Sequence, residues 1–178
     1  SGRRAGRLVA FKWLRFRIGR RTGGPVGELL VPGRDGRRRR LEVLEAAADR
    51  GRAHSADLLD KGYEIYDLSP RFKADDDYPL HAKKVAMAVA KTLESRGILV
   101  CGSGVGISIA ANRMKGVRAF DAHDEKEVKL AREHNDVNVI ALSGWNMDEK
   151  HAMSLVNTFL KTKASSAERH KRRVKQLG

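Results

Sequence analysis

The sequence contains a single cysteine among its 178 residues, and this scarcity excludes several kinds of protein. One cysteine cannot form an internal disulfide or a multi-cysteine metal site, which fits a reducing compartment. No apolar stretch approaches the roughly 18 residues that a membrane-spanning helix needs, and no secretory signal is visible. We therefore expect a cytoplasmic protein that does not span a membrane.

Acidic residues are scarce in the first forty positions. Residues 1–40 hold thirteen Lys and Arg against Glu28 and Asp35, a net charge of +11 out of +14 for the whole chain. The basic character therefore belongs to this Arg- and Gly-rich segment, and nucleic acid is expected to bind only through it. An adhesive tail, a targeting extension and sequence foreign to the fold all remain open. We predict a division into residues 1–40, atypical or disordered, and an α/β domain at residues 41–178.

From residue 41 onward, helical and strand patterns alternate. Continuous apolar runs are typical of strands that are buried on both faces of a parallel sheet. Short connections between alternating strands and helices favour right-handed crossovers. The fold class predicted is therefore α/β, a doubly wound, Rossmann-like parallel sheet with helices on both faces. The predicted strands are 63–69, 98–101, 116–122 and 137–143, and the predicted helices are 41–61, 78–96, 105–114, 124–135, 148–162 and 166–177.

The only cysteine lies in the stretch ILVCGSGVG, at the predicted carboxyl end of a buried strand. Gly102, Gly104 and Gly106 follow it at alternate positions, a spacing that fits neither the dinucleotide fingerprint nor the phosphate loop of nucleotide hydrolases. Such a turn lets backbone N–H groups point into a concavity that suits an anion or a developing oxyanion. The partial positive charge at a helix N-terminus would also favour the ionised form of Cys101. The alternative is a small buried apolar residue.

Two further polar clusters lie near predicted helix ends. His134 and Asn135 end a helix just before a buried strand, where Asn135 is alternatively a C-cap and His134 a partner of the helix dipole. Arg169 and Arg173 are four residues apart and so share one helical face, as a pair of guanidinium groups that bind phosphate would. A solvated basic tail is the alternative for that pair.

In this order, the clusters resemble the sugar-phosphate isomerase family that contains ribose-5-phosphate isomerase type B and the galactose-6-phosphate isomerase subunits. The resemblance runs from residue 61 to the C-terminus. The ribose-phosphate branch fits better, because the galactose-6-phosphate subunits usually lack the cysteine. The motifs that carry it are DYP at 77–79, GILVCGSGVGISIAANRMKGVRA at 97–119, REHND at 132–136 and RHKRRV at 169–174.

The resemblance implies an aldose–ketose isomerase of phosphorylated sugars that uses neither a metal nor an organic cofactor. It also implies a homodimer whose active sites are shared between the two copies. The implied reaction is ribose 5-phosphate to ribulose 5-phosphate through an enediolate. The implied roles are Cys101 as general base, Ser103 as a hydroxyl near the sugar, His134 in ring opening with Asn135 beside it, the amides of Gly102, Gly104 and Gly106 around the enediolate, Arg169 and Arg173 on the phosphate, and Tyr78 on the substrate.

Two departures from the family pattern keep alternatives open. The acidic and histidine-containing motif that ends the family's first strand is absent about seventeen residues before KGYE, where this chain has LEVLE. Trp145 stands where many relatives have an arginine that assists the phosphate. The alternatives are a catalytically weakened relative that binds a phosphosugar or a protein partner, an isomerase for a six-carbon sugar phosphate, and a nucleic-acid-binding accessory protein.

Overall fold

The computed structural model of the protein describes residues 8–13, 29–32, 38–41, 63–68, 77–91 and 95–178. Strands and helices alternate through most of this part of the chain, as predicted. The strands are β1 (Leu8–Trp13), β2 (Leu29–Pro32), β3 (Arg38–Leu41), β4 (Glu64–Asp67), β5 (Arg96–Cys101), β6 (Ala119–Asp121) and β7 (Val139–Ser143). The helices are α1 (Tyr78–Lys91), α2 (Val105–Ala111), α3 (Glu125–Asn135), α4 (Glu149–Lys161) and α5 (Glu168–Leu177).

Five strands form one sheet in the order β4-β1-β5-β7-β6, and every neighbouring pair is parallel. The register of β5 and β7 aligns Gly97 with Val139 and Cys101 with Ser143, so the carboxyl ends of these central strands lie side by side. Strands β2 and β3 form a separate antiparallel pair. The parallel α/β sheet predicted from the sequence is confirmed.

The sheet is covered on both faces by separate apolar clusters. On one face, Ile98 and Leu142 pack with α3 and α4, including Phe159. On the other face, Leu99 and Cys101 pack with the buried residues of α1 and α2. Alternate residues of β5 and β7 therefore point to opposite clusters, which explains why these strands read as continuous apolar runs.

Strand β1 of this sheet comes from the basic segment at residues 1–40. Strand β1 lies between β4 and β5, with Leu8 aligned with Glu64 and Trp13 with Val100. Residues 8–13 are therefore part of the same sheet as the rest of the fold. The division at residue 40 and a nucleic-acid role for residues 1–40 stay predictions. Leu41 ends strand β3, and the rest of the helix predicted at 41–61 lies outside the described residues.

Helix α2 and strand β6 are each shorter than predicted, because a turn lies between them. Helix α2 ends at Ala111, after which the amide of Met114 bonds back to the carbonyl of Ala111 at 3.1 Å in a tighter turn. Gly116 then adopts a φ of +81°, a conformation that ends the helical path and that glycine adopts without strain. Strand β6 consequently begins only at Ala119.

No helix among the described residues is long and apolar enough to cross a bilayer.

Candidate functional site

The thiol of Cys101 faces the glycine turn that follows it. Cys101 is the last residue of β5 and is only 6% exposed. Its Sγ atom accepts a hydrogen bond from the backbone N–H of Gly104, with a nitrogen–sulfur distance of 3.3 Å. The burial agrees with the apolar-residue alternative, but the hydrogen bond joins the sulfur to an amide of the turn. The Cys101 thiol is therefore part of the turn and is not sealed off from it.

The turn is held by the loop that follows β7. The backbone N–H of Gly144 donates to the carbonyl of Cys101 at 2.7 Å. The carbonyl of Gly102 accepts from the hydroxyl of Ser143 at 2.8 Å and from the backbone N–H of Trp145 at 3.1 Å. These bonds engage the carbonyl groups of Cys101 and Gly102, so the loop after β7 fixes the position of the turn. Ser103, also in the turn, accepts the backbone N–H of Val105 at 3.4 Å.

Three side chains lie directly against the three glycines. A β-carbon added at Gly102 would lie 2.5 Å from the indole of Trp145, and one added at Gly106 would lie 2.5 Å from the hydroxyl of Tyr78. A β-carbon at Gly104 would collide with Oδ1 of Asp121, and Gly104 also has a φ of +87°. The alternating glycines are therefore required for close approach of these side chains. Tyr78 therefore lies beside the turn, and its binding to substrate stays a prediction.

Asp121 places a partly buried carboxyl group against the glycine turn. Its Oδ1 atom is buried without a hydrogen-bond partner among the described residues, while Oδ2 lies 3.4 Å from Nε2 of His123. Burial raises the pKa of the Asp121 carboxyl above its ordinary value, and the nearby His123 opposes that effect. The negative form of Asp121 is therefore disfavoured by its surroundings.

In the REHND cluster at residues 132–136, Asp136 ends helix α3 and forms ion pairs with two arginines. Asp136, and not Asn135, is the C-cap of α3, with a left-handed φ of +46°, so the alternative role of Asn135 as cap is wrong. The Asp136 carboxylate pairs with Arg132 at 2.8 Å and with Arg118 at 2.9 Å. Arg132 is buried and also donates to the backbone carbonyl of Val137. These ion pairs lock the turn from α3 into β7, because they satisfy the charge at each partner.

His134 stands beside the basic helix α5. Its ring is stacked on that of His170, with centroids 4.3 Å apart and an interplanar angle of 15°. Nε of Arg169 lies 3.1 Å from Nε2 of His170. Arg169 and Arg173 are exposed, and within the described part of the chain neither guanidinium is paired with a carboxylate. His134, Asn135, Arg169 and Arg173 therefore lie around one end of α3, as a group that suits a phosphate ester.

An open groove of about 620 Å³ adjoins this histidine cluster. It runs along the edge strand β6 and the outer side of α3, and the exposed Leu130 and Leu177 contribute apolar surface to it. Its lining residues are Asn112, Val117, Arg118, Ala119, Phe120, Glu127, Leu130, Ala131, His134, Asn135, Val137 and Leu177.

The two groups of predicted site residues lie at opposite ends of the parallel strands. Cys101 is level with Ser143, at the carboxyl end of β7. His134 precedes Val139, at the amino end of the same strand, where Asn135 accepts a hydrogen bond from Arg118. Four residue steps of about 3.3 Å separate Val139 from Ser143, or ~13 Å in all. One copy of the chain therefore does not bring Cys101 and His134 into one site.

Sequence reasoning passed over three residues of these clusters. Ser143 and Asp121 each end a strand at the same sheet edge as Cys101, and the rule that ligands bind beyond the carboxyl ends of parallel strands could have selected them. His170 lies between predicted phosphate-binding residues, but only the structure reveals its contact with His134. No group of three or more His, Cys, Asp or Glu side chains is arranged to hold a metal among the residues described.

Comparison with known proteins gives consistent matches. The model of the ribose/galactose isomerase family matches residues 46–177. The chain is 40% identical over 125 residues to the probable ribose-5-phosphate isomerase B of Mycoplasma genitalium, covering 69% of this chain and 82% of that protein. It is 38% identical over 122 residues to ribose-5-phosphate isomerase B of Escherichia coli, covering 68% and 81%.

Solved structures share the same architecture. The crystal structure of ribose-5-phosphate isomerase B from Mycoplasma genitalium with bound ribulose-5-phosphate superposes with a TM-score of 0.67 at 38% identity, covering 72% of this chain and 86% of that one. The Thermotoga maritima ribose 5-phosphate isomerase gives 0.66 at 36% identity, covering 74% and 90%. The sheet and its helices therefore match those of these two structures.

Proposed function

The chain belongs to the ribose/galactose isomerase family, and from that premise we propose that it interconverts ribose 5-phosphate and ribulose 5-phosphate. The observation that carries the proposal is the hydrogen bond from the Gly104 amide to the Cys101 sulfur at 3.3 Å. It places a potential base beside backbone N–H donors that can stabilise developing negative charge. The similarity to relatives named for this reaction supports the substrate.

The proposed chemistry is a proton transfer through an enediolate. The Cys101 thiolate removes the proton from C2 of the open-chain aldose, and the electron pair moves to make O1 an oxyanion. The same sulfur returns the proton to C1, and a proton exchanged between O2 and O1 completes the ketose. Amides of Gly102, Gly104 and Gly106 stabilise the oxyanion, because donors fixed in advance need no reorganisation as the charge develops. The hydroxyls of Ser103 and Tyr78 orient the sugar.

The second cluster prepares and holds the substrate in this proposal. His134 transfers the proton that opens the furanose ring, and the Asn135 amide binds the sugar beside it. Arg169 and Arg173 bind the phosphate, which is consistent with their exposure and with the absence of carboxylate partners among the described residues. Charge-assisted hydrogen bonds from guanidinium groups are well suited to phosphate.

A second copy of the chain completes each site in this account. Cys101 lies at the carboxyl ends of the strands and His134 at their amino ends. The glycine turn of one copy therefore contacts the histidine cluster of the other copy in this account. Exposed apolar residues beside both clusters support such contact: Val105 and Ile109 on α2, and Leu130 and Leu177 at the groove. A two-fold dimer would use both surfaces twice, once in each site. We place this dimer in the cytoplasm.

The experiment that tests the function is an isomerisation assay on the full chain with ribose 5-phosphate and with a six-carbon analogue such as allose 6-phosphate. We expect turnover of ribose 5-phosphate in the ordinary enzymatic range, with Cys101→Ala as the inactive control. Preference for the six-carbon sugar would reassign the substrate.

One observation favours a second candidate, a weakened relative that binds a phosphosugar without efficient turnover. The indole of Trp145 lies against Gly102 and is 58% exposed, so a large apolar side chain stands at the turn. Binding of ribose 5-phosphate without isomerisation by the native chain would select this reading. Normal turnover by the native chain would remove it.

A further inference from the structure

We propose that His170 is a positioning residue that fixes His134 and Arg169 as one unit, and that it does so in its neutral form. This inference rests on the proposed function, because it assigns the support of the residues that open the ring and bind the phosphate. His170 itself is buried and lies between the two side chains that it would orient. It therefore acts through its neighbours and does not contact the sugar.

The first contact restrains His134. The two imidazole rings are nearly parallel, at 15°, with their centroids 4.3 Å apart. A flat ring at this distance limits rotation of the His134 ring about its own side-chain bonds, because any tilt would bring ring atoms into collision. His134 comes from α3 and His170 from α5, so the stack also joins these two helices.

The second contact restrains Arg169. The Nε atom of arginine is a donor only, so Nε2 of His170 must be the acceptor in the 3.1 Å contact. An imidazole that accepts at Nε2 carries its single proton on Nδ1 and is neutral. Because Nε is engaged with His170, the terminal nitrogens of the Arg169 guanidinium are left to bind a phosphate group. His170 thus sets both the place and the direction of this arginine.

The surroundings of His170 keep it neutral. Burial lowers the pKa of His170, and electrostatic interaction with His134, Arg169 and Arg173 lowers it further, while a backbone interaction with His134 opposes these effects. These are the titratable groups that face it, one on α3 and two on α5. Protonation at Nε2 would remove the acceptor for Arg169 and place two like charges in contact. These effects favour the neutral state that the Arg169 contact requires. The Nδ1 atom that then carries the proton is buried without a hydrogen-bond partner among the described residues.

The two contacts can be separated by substitution. His170→Phe keeps a flat ring against His134 but lacks an acceptor for Arg169. His170→Gln keeps a polar oxygen near the position of Nε2 but removes the ring. Lys171→Gln is the matched control, because Lys171 lies next to His170 on α5, is exposed and pairs only with Glu168 among the described residues.

Steady-state kinetics with ribose 5-phosphate then give different signatures for the two variants. We expect His170→Phe to raise KM roughly tenfold with little change in kcat, since a charge-assisted hydrogen bond to the phosphate-binding arginine is lost. We expect His170→Gln to lower kcat roughly tenfold with little change in KM, since His134 loses its restraint. The control variant should match the native chain in both constants.

Two kinetic results would overturn the inference. One is native kcat and KM in both variants. The other is an equal fall in kcat/KM in the His170→Phe and His170→Gln variants that follows their fall in melting temperature. A purely structural role of His170 would give that result. A native chain without isomerase activity would refute the proposed function instead, and the following measurement would still decide the role of His170.

The tautomer is measurable on the unaltered protein. Two-bond nitrogen–proton NMR spectra of chain labelled with ¹⁵N-histidine distinguish Nδ1–H from Nε2–H and from the charged ring. We expect the His170 signal to show the neutral Nδ1–H form at neutral pH and to keep it under mildly acidic conditions, where an ordinary histidine is protonated. An Nε2–H or charged His170 at neutral pH would contradict the proposal even if no variant folds.

Discussion

The backbone N–H of Gly104 donates a hydrogen bond to the sulfur of Cys101 over 3.3 Å. This bond aims an amide at the one atom that can act as a thiolate in this chain. The carbonyl groups of Cys101 and Gly102 are already engaged by Gly144, Ser143 and Trp145, so the turn is braced from its acceptor side. This geometry is the basis for assigning Cys101 as the general base.

Substitution of Cys101 by serine tests the base. The hydroxyl preserves the size of the side chain and can still accept from the Gly104 amide, but it is a far weaker base than a thiolate at neutral pH. We expect kcat to fall by a factor of about 10²–10⁴, the usual contribution of a positioned proton-transfer group. The melting temperature should change little. Native turnover by a correctly folded Cys101→Ser chain would rule out the assignment.

Substitution of Gly104 by alanine tests the packing of the turn. An alanine there would adopt a left-handed φ and its β-carbon would collide with Asp121. Gly116→Ala is the matched control, because Gly116 has a similar φ of +81° but no atom within 4 Å of an added β-carbon. Backbone strain alone should cost each variant about 1–2 kcal/mol of unfolding free energy. Chemical denaturation should show a clearly larger loss for Gly104→Ala, and equal losses would contradict the described packing.

The phosphate-binding role of the basic helix α5 is tested with Arg169→Gln and Arg173→Gln. Each variant removes a charged donor, so KM for ribose 5-phosphate should rise by a factor of about 10–100. Arg172→Gln supplies the control, since Arg172 is an exposed arginine on the same helix. If all three variants raise KM equally, the helix acts only through its total charge.

The pH dependence of stability tests the buried carboxyl of Asp121. Because burial raises the pKa of Asp121, the folded chain keeps this proton at a pH where the unfolded chain, with a pKa near 3.8, has lost it. The contribution to the unfolding free energy therefore decreases as the pH rises from 3.8 through the folded pKa. Asp121→Asn removes this cost.

The Asn variant should melt at most a few degrees higher than the native chain at neutral pH, and the advantage should shrink as the pH approaches 3.8. Glu168→Gln, which neutralises an exposed carboxyl, should show no such trend. A lower melting temperature for Asp121→Asn at neutral pH would mean that the carboxylate is stabilised by its surroundings.

Periodicity was sufficient to predict the central part of the fold. The strands β5 and β7 and the helices α3, α4 and α5 follow from apolar runs and from caps such as Asp124, whose carboxylate accepts the amide of Glu127 at 2.9 Å. Strand β1 was not predicted, because residues 8–13 lie in a segment dominated by arginine. Its place is set by pairing with β4 and β5 along both edges, which local composition does not reveal.

The sequence motifs propose residues for the candidate site but do not give its geometry. The motifs supplied Cys101 and His134, yet a linear sequence does not show that they lie at opposite ends of neighbouring strands. That separation depends on the register of β5 and β7. The contacts of His170 and Asp121 depend on how helices and loops pack across the chain, so they too became visible only in three dimensions.

Each proposed site needs Cys101 from one copy and His134 from another, and mixing two inactive variants tests this requirement. Cys101→Ala and His134→Gln are unfolded together, refolded, and compared with each variant refolded alone. A random mixture makes half of the dimers mixed, and each mixed dimer regains one intact site, so activity should return to about a quarter of the native value. Mixed dimers that form, as native mass measurement would show, but remain inactive would contradict the shared site.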